Sequence, residues 1–312
     1  MIQLVYENSP IAMWQIFAFG AIVLDACAET VDKIVIVGDM AINTIVATFY
    51  RNVAYYVIAV AIGLTGLVGP MHLLFSWPVL LVGLSYIGSA CFYTYMLKHV
   101  ELTGSSALGY ARPAIFLLAD ITLLKAPFNG AQILGVLLLV LGGILFVINP
   151  LTHKLKPEYT KYVWMIFLYE TISYAAEFYV FKHYATAINL NEISYLLSTN
   201  TVMIIGLLAL TLWQGTWKSM VATAMHKHYI AKVTLSKSFD VAYTLFLYHA
   251  LRLATVSQVN AMEAFYPLIL LVILYVVEED FRFKARERFD RLSLVQKTLA
   301  TFVLVIGIWL AG

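Results

Sequence analysis

The sequence predicts an all-α integral membrane protein of about ten transmembrane helices, arranged as two inverted five-helix repeats. Three observations lead there. Hydrophobic residues make up 62% of the 312 residues and charged residues 12%, where a soluble domain carries roughly 25% charged; the mean hydropathy is +0.83. Apolar runs of about 20 residues, the length that crosses a bilayer, recur along the chain. Finally, the stretches 92–117 and 246–271 align without gaps at an offset of 154 residues, close to half the chain, as an internal duplication would.

The paired stretches read FYTYMLKHVELTGSSALGYARPAIFL and FLYHALRLATVSQVNAMEAFYPLILL. Phe92/Phe246, Leu97/Leu251, Ala107/Ala261, Pro113/Pro267, Ile115/Ile269 and Leu117/Leu271 are identical pairs. Each copy runs from an apolar helix through a short basic turn and small or hydroxylic residues to a proline inside a second apolar helix.

The predicted spans are Met13–Val37, Asn43–Val68, Trp77–Leu97, Ser105–Leu124 and Gly130–Ile148, then Tyr162–His183, Ile193–Trp213, Val233–Leu253, Val256–Val277 and Leu294–Ala311. Asp25, Glu29, Asp32 and Lys33 interrupt the first. Asn149-Pro150 and the polar run after it form a joint, since proline past a helix end cannot continue it. The first repeat is therefore residues 1–149, the linker 150–160 and the second repeat 161–312. An odd number of spans per repeat inserts the second upside down relative to the first. Gly135 and Gly142 correspond to Ala300 and Gly307, a small-residue stripe that admits a close helix neighbour. Ala28-Glu29 corresponds to Ala176-Glu177, one intramembrane acid in each half.

Composition excludes other classes. A formal charge of +2, with Lys and Arg spread over short interhelical loops, points away from a nucleic-acid partner. Cys27 and Cys91 lie in apolar runs without CxxC or His/Cys spacing, so no disulfide, metal site or cofactor is expected. The histidines are scattered, and no HExxH, GxSxG or clustered His and Asp appears, so no enzymatic chemistry is expected. No filter sequence suggests a channel.

The run through Ala107 and Pro113, followed by a helix with Gly135 and Gly142, resembles the second part of an EamA domain of the drug/metabolite transporter superfamily. The segment from Phe246 through Pro267, Glu278 and Gln296 to Gly307 resembles a second copy, and Lys33 and Arg51 fall roughly where many members carry a lysine and an arginine. The resemblance implies a ten-helix secondary transporter in the inner membrane, with a central cavity between its halves, usually exporting metabolites. Asp25-Ala26 stands where many members have Trp-Gly, and Leu124-Lys125-Ala126-Pro127 where they have Gly-Glu-Arg. Related folds also move lipids or lipid-linked sugars, which is the alternative reading. With both repeats in one chain, a monomer embedded in membrane lipid suffices.

Orientation divides the signals. With the N-terminus in the cytoplasm, the cytoplasmic loops hold Lys125, Lys182 and Arg252, and the opposite loops hold 14 Lys and Arg. The positive-inside rule favours both termini outside; the resemblance implies both inside.

An ionised group near the bilayer centre costs several kcal/mol unless it is paired or faces water. The embedded acids are Asp25, Glu29, Asp120, Glu170, Glu177, Asp240 and Glu263, and the embedded bases Arg51, Arg112 and Lys237. Lys237 and Asp240, three apart, are placed to neutralise each other. Arg51 is expected to snorkel or to pair with Asp25 or Asp120. Glu263 stands four before Pro267, whose missing N–H leaves the carbonyl of residue 263 without its helical donor. Arg112, beside Pro113, is the counterpart of Tyr266. Tyr110 and Arg112 on one wall, and Asn260, Glu263 and Tyr266 on the other, are thus the candidate binding residues for a small-molecule substrate, kinked into place by Pro113 and Pro267. The acid surplus suggests a cationic or zwitterionic solute exchanged against protons, with Glu263, Glu29 and Glu177 as coupling candidates. Other candidate lining is the abundant tyrosine and the run Ser198-Thr199-Asn200-Thr201.

Overall fold

The computed structural model describes residues 13–38, 42–67, 76–100, 129–148, 173–263, 265–276 and 291–311. Its elements are helical throughout: α1 (Met13–Gly38), α2 (Thr44–Ile62) with a π-helical continuation over Gly63–Leu67, α3 (Trp77–His99), α4 (Gly130–Val147), α5 (Tyr174–Tyr179) with a π-helical continuation over Val180–Ala185, α6 (Glu192–Trp213), α7 (Trp217–Ala224), α8 (Lys227–Leu253), α9 (Val256–Glu263), α10 (Tyr266–Val276) and α11 (Arg291–Ala311). Four helices, Thr44–Thr65, Trp77–His99, Gly130–Val147 and Glu192–Trp213, are long and apolar enough to cross a membrane. This is a helical membrane protein. The predicted fourth span, the linker and the residues Tyr110, Arg112, Pro113, Asp120 and Glu170 lie outside the described residues.

Local chemistry sets the helix starts. Asn43 accepts from the backbone N–H of Ile45 at 2.8 Å, and Asn191 from that of Ser194 at 2.8 Å. Asn129 and Gln132 form a reciprocal capping box at the start of α4, satisfying donors that the first turn would otherwise leave open. Pro78 sits in the first turn of α3, where no N–H is needed.

The predicted ninth span is divided. α9 stops at Glu263 and α10 starts at Tyr266. Pro267 has no N–H for the carbonyl of residue 263, and Phe265 N–H turns back to the carbonyl of Met262 at 3.1 Å.

The two longest helices, α1 with 26 residues and α8 with 27, pack along each other. α6 lies against α3 and α2, α8 also against α2, and α9 and α10 against α1. α4 and α11 form a further close pair, and their inner faces share a hydrophobic core with α1, α3 and α10. A β-carbon placed on Gly142 would come within 2.7 Å of Leu304 Cδ2 and 3.2 Å of the Ala300 carbonyl; one on Gly307 would come within 2.9 Å of both Leu139 Cδ2 and the Gly135 carbonyl. Leu139 corresponds to Leu304 and Gly135 to Ala300 at the offset that pairs the glycines. The contact is therefore reciprocal and antiparallel. The opposite face of α4 exposes Ile133, Leu134, Leu137, Leu141 and Ile144, as lipid requires.

A second correspondence ties helix ends together. Lys33 Nζ, at the end of α1, donates to the carbonyls of Leu97 and Val100 at the end of α3, both at 2.5 Å. Lys182 Nζ donates to the carbonyls of Leu251 at 2.6 Å and Ala254 at 2.8 Å, at the end of α8. Leu97/Leu251 and Val100/Ala254 share the offset of 154. An ammonium, buried at Lys33 and half-buried at Lys182, thus covers the open carbonyls of a helix terminus in each case. Glu29 and Glu177 are 148 apart, whereas Lys33 and Lys182 are 149 apart. The π-helical segment Val180–Ala185 absorbs the extra residue, as a single-residue insertion into a helix does.

Close approach of α3 and α6 depends on Gly83, where a β-carbon would meet the Thr199 carbonyl at 2.6 Å and Val202 Cβ at 2.8 Å; at Gly88, on the same helix, nothing lies within 4 Å. Gly83→Ala is expected to lower stability by about 1–3 kcal/mol through overpacking. Gly88→Ala should lie within about 1 kcal/mol of the native protein, on the stabilising side. Thermal unfolding in detergent followed by circular dichroism measures both.

Candidate functional site

Asp25, Glu29 and Asp32 follow one another at intervals of four and three residues, so they share one face of α1. That face meets α8. Asp32 is 2% exposed, and its carboxylate gathers donors from two helices. Arg51 of α2 donates through Nη2, Lys237 of α8 through Nζ at 2.8 Å, and Ser236 of α8 through Oγ at 2.6 Å. Lys237 also donates to Asp240 at 2.6 Å, and Arg51 Nη1 donates to Thr94 Oγ1 of α3 at 2.8 Å. The Arg51 guanidinium stands 5.0 Å from the ring centre of Tyr93; its Nε is buried without a hydrogen-bond partner. Two bases and two acids, Arg51, Lys237, Asp32 and Asp240, make a net-neutral chain across α1, α2 and α8. Lys237 and Asp240 pair as expected. Arg51 pairs with Asp32, two turns along the same face from Asp25, because α2 meets α1 at the level of Asp32; Asp120, the other expected partner, lies outside the described residues.

Beside this chain is a cavity of about 130 Å³. Its wall carries the carboxylates Asp25, Glu29 and Glu177 in addition to the ionic chain. Much of the rest is tyrosine, with Tyr55, Tyr86, Tyr93, Tyr174, Tyr243 and Tyr248 contributing. Phenols serve the acids. Tyr93 donates to Glu29 Oε1 at 2.7 Å and Tyr266 to Glu29 Oε2 at 2.5 Å. Tyr248 donates to Glu177 Oε1, and Tyr86 lies against the same carboxylate. Behind Glu177, Tyr195 donates to its backbone carbonyl at 3.0 Å. The Tyr248 ring stacks on Phe181 at 4.2 Å between centroids, which fixes the phenol in place. Among the described residues, no cation forms an ion pair with Glu177.

Of the predicted coupling residues, Glu29 and Glu177 line the cavity. Glu263 does not, although Tyr243, which does, approaches it at 3.5 Å. Tyr266 lies outside the lining but reaches the site through Glu29. Asn260 is buried away from the cavity, with Nδ2 on the Val256 carbonyl at 2.9 Å and Oδ1 buried without a partner. Helix rotation explains the difference: each residue turns the side chain by about 100°, and the contact with α1 decides which face of α9 looks inward. From the polar run of α6, only Asn200 reaches the cavity; Ser198 and Thr199 bond back to their own helix. Asp32, Asn52 and the tyrosines of α2 and α8 join the site without having carried a local signal of their own. The carboxylates spaced four and three apart on α1 are the signal that could have found Asp32. No groups of His, Cys, Asp and Glu able to hold a metal occur among the described residues.

No protein-family model and no curated protein matches the chain. The chain is similar in fold to solved structures, among them a protein of known crystal structure with a TM-score of 0.60 over 96% of this chain and 97% of that one, at 15% identity. At that identity the likeness speaks to fold alone, and it runs nearly end to end in both proteins.

Removing Asp32 leaves the buried Arg51 without a carboxylate and Lys237 with Asp240 alone, whereas removing Lys237 leaves Asp32 with Arg51 and Ser236. Asp32→Ala is therefore expected to cost about 3–5 kcal/mol and Lys237→Met distinctly less. Unfolding midpoints in detergent read the order; equal losses would show that Asp32 is not the hub.

Proposed function

We propose that this chain is a secondary transporter that carries a small organic cation across a membrane by alternating access, exchanging it against protons. The observation that carries the reading is Glu177: a carboxylate deep in an apolar helical bundle, on the wall of a tyrosine-lined cavity, served by phenols and by no described cation. An intramembrane acid facing a cavity is a functional site by default, and tyrosine faces attract cations. The neighbouring ionic chain is internally neutral, so it adds little net attraction for an anion.

The reading includes about ten spans in two inverted five-helix halves. The reciprocal contact of α4 with α11 supports a two-fold relation between the halves, as do the matching lysine caps at the ends of α3 and α8. So does the pairing of α6 with α3 against α8 with α2, which such an axis would exchange. It also retains the EamA resemblance, and with it a multi-pass location in the cell membrane and transport in the direction of export. A cavity of about 130 Å³ favours a small solute over a lipid-linked sugar.

Reconstitution into proteoliposomes tests the proposal. Saturable counterflow of small organic cations is expected, faster with a pH gradient of opposite direction, and reduced at least tenfold in Glu177→Gln. Absence of saturable flux for any cation would overturn it; flux indifferent to the gradient would remove the proton exchange.

A further inference from the structure

The cavity's polar groups are unevenly spent: its donors are committed and several of its acceptors are open. Asn52 of α2 donates Nδ2 to the Thr48 carbonyl at 2.8 Å, and Asn200 of α6 donates Nδ2 to the Leu196 carbonyl at 2.9 Å. Only the amide nitrogen can serve a carbonyl, so each Oδ1 is fixed as the other arm of its amide. Among the described residues neither Oδ1 receives a donor, and both asparagines line the cavity. Glu177 is a third acceptor, since a carboxylate has about four lone-pair sites. Asn200 is 5% exposed and Glu177 6%, so both are held inside the bundle, on the cavity wall.

The donors named below already serve protein acceptors. Tyr248 and Tyr93 donate to Glu177 and Glu29. Tyr55 donates to Thr244 at 2.7 Å, and Thr244 to the Asp240 carbonyl at 2.9 Å. Ser89 turns to its own helix. Arg51 gives one N–H from each terminal nitrogen to Thr94 and Asp32, its Nε being buried, and Lys237 bridges Asp32 and Asp240, so each cation already holds a protein carboxylate. A ligand carboxylate would find no uncommitted cation among these groups.

We infer that the cavity selects a primary ammonium, R–NH₃⁺, over a quaternary ammonium and over a zwitterion, with Glu177, Asn52 and Asn200 as its acceptors. A primary ammonium brings three N–H donors and no acceptor, the complement of this wall. A quaternary ammonium carries the same charge and could still meet the tyrosine faces, but would leave the amide oxygens unserved, which a buried polar group does not tolerate cheaply. The volume suits about five or six heavy atoms, since a cavity of roughly 150 Å³ holds benzene. This inference rests on the transporter reading and narrows its substrate.

tert-Butylammonium and tetramethylammonium are nearly the same size and bear the same charge, differing in whether the nitrogen carries hydrogens. Titration calorimetry of the purified protein in detergent should give at least tenfold tighter binding of tert-butylammonium, with glycine weaker than both. In the double variant Asn52→Leu, Asn200→Leu the preference between the two cations should collapse to within about twofold. Equal binding by the native protein, or tighter tetramethylammonium, overturns the inference while leaving cation transport standing. Because both ligands are compared on the native protein, the result does not depend on the variant folding. If neither these ligands nor any cation in the flux assay engages the protein, the transporter reading fails with it.

Discussion

One carboxylate organises the bundle. Asp32 sits where water cannot screen it, and an unpaired charge there would cost several kcal/mol. Its three donors come from α2 and α8, and one of those donors, Arg51, extends the chain to Thr94 on α3. Four helices are thereby held in one register by groups that cannot be separated without stranding a charge. Such a network adds little net stability compared with apolar packing, but breaking it from one side is costly. Its value is specificity of arrangement: α1 and α8 can slide or rotate only by abandoning these bonds.

The cavity follows from that constraint. α1 presents Asp25, Glu29 and Asp32 on one face; Asp32 is satisfied by bases, and Glu29, like Glu177, is served by tyrosines. A phenol can donate to a carboxylate without adding charge, so the site keeps acidity while its hydrogen bonds are met. Tyr266 extends this to the broken helix, joining the start of α10 to Glu29 on α1. The break at Pro267 thus places a helix start beside the site, in the manner of discontinuous helices in transporter cores.

The lysine caps show a different economy. Lys33 and Lys182 cover the last carbonyls of α3 and α8 from neighbouring helices, and the π-helical turn after α5 lets the second lysine arrive despite one additional residue. Function and scaffold are therefore separable on α1 and α5: the glutamate of each helix faces the cavity, and the lysine one turn later fastens a helix end.

Much of the fold was legible in the chain itself. Apolar length, Pro267 and the Gly135/Gly142 and Ala300/Gly307 stripes mark helices, a break and a close pair, because hydropathy, a missing N–H and side-chain size act within a few residues of where they are written. Glu29 and Glu177 stood out for the same reason, as acids in apolar runs at corresponding places. What the tertiary structure decided was which groups meet. Nothing local distinguishes Asp25 from Asp32 as the partner of Arg51, or Asn200 from Asn260 as a cavity residue. Those choices depend on the level at which one helix meets another and on rotation of whole helices about their axes, and both are fixed only when α1, α2 and α8 close around a buried charge.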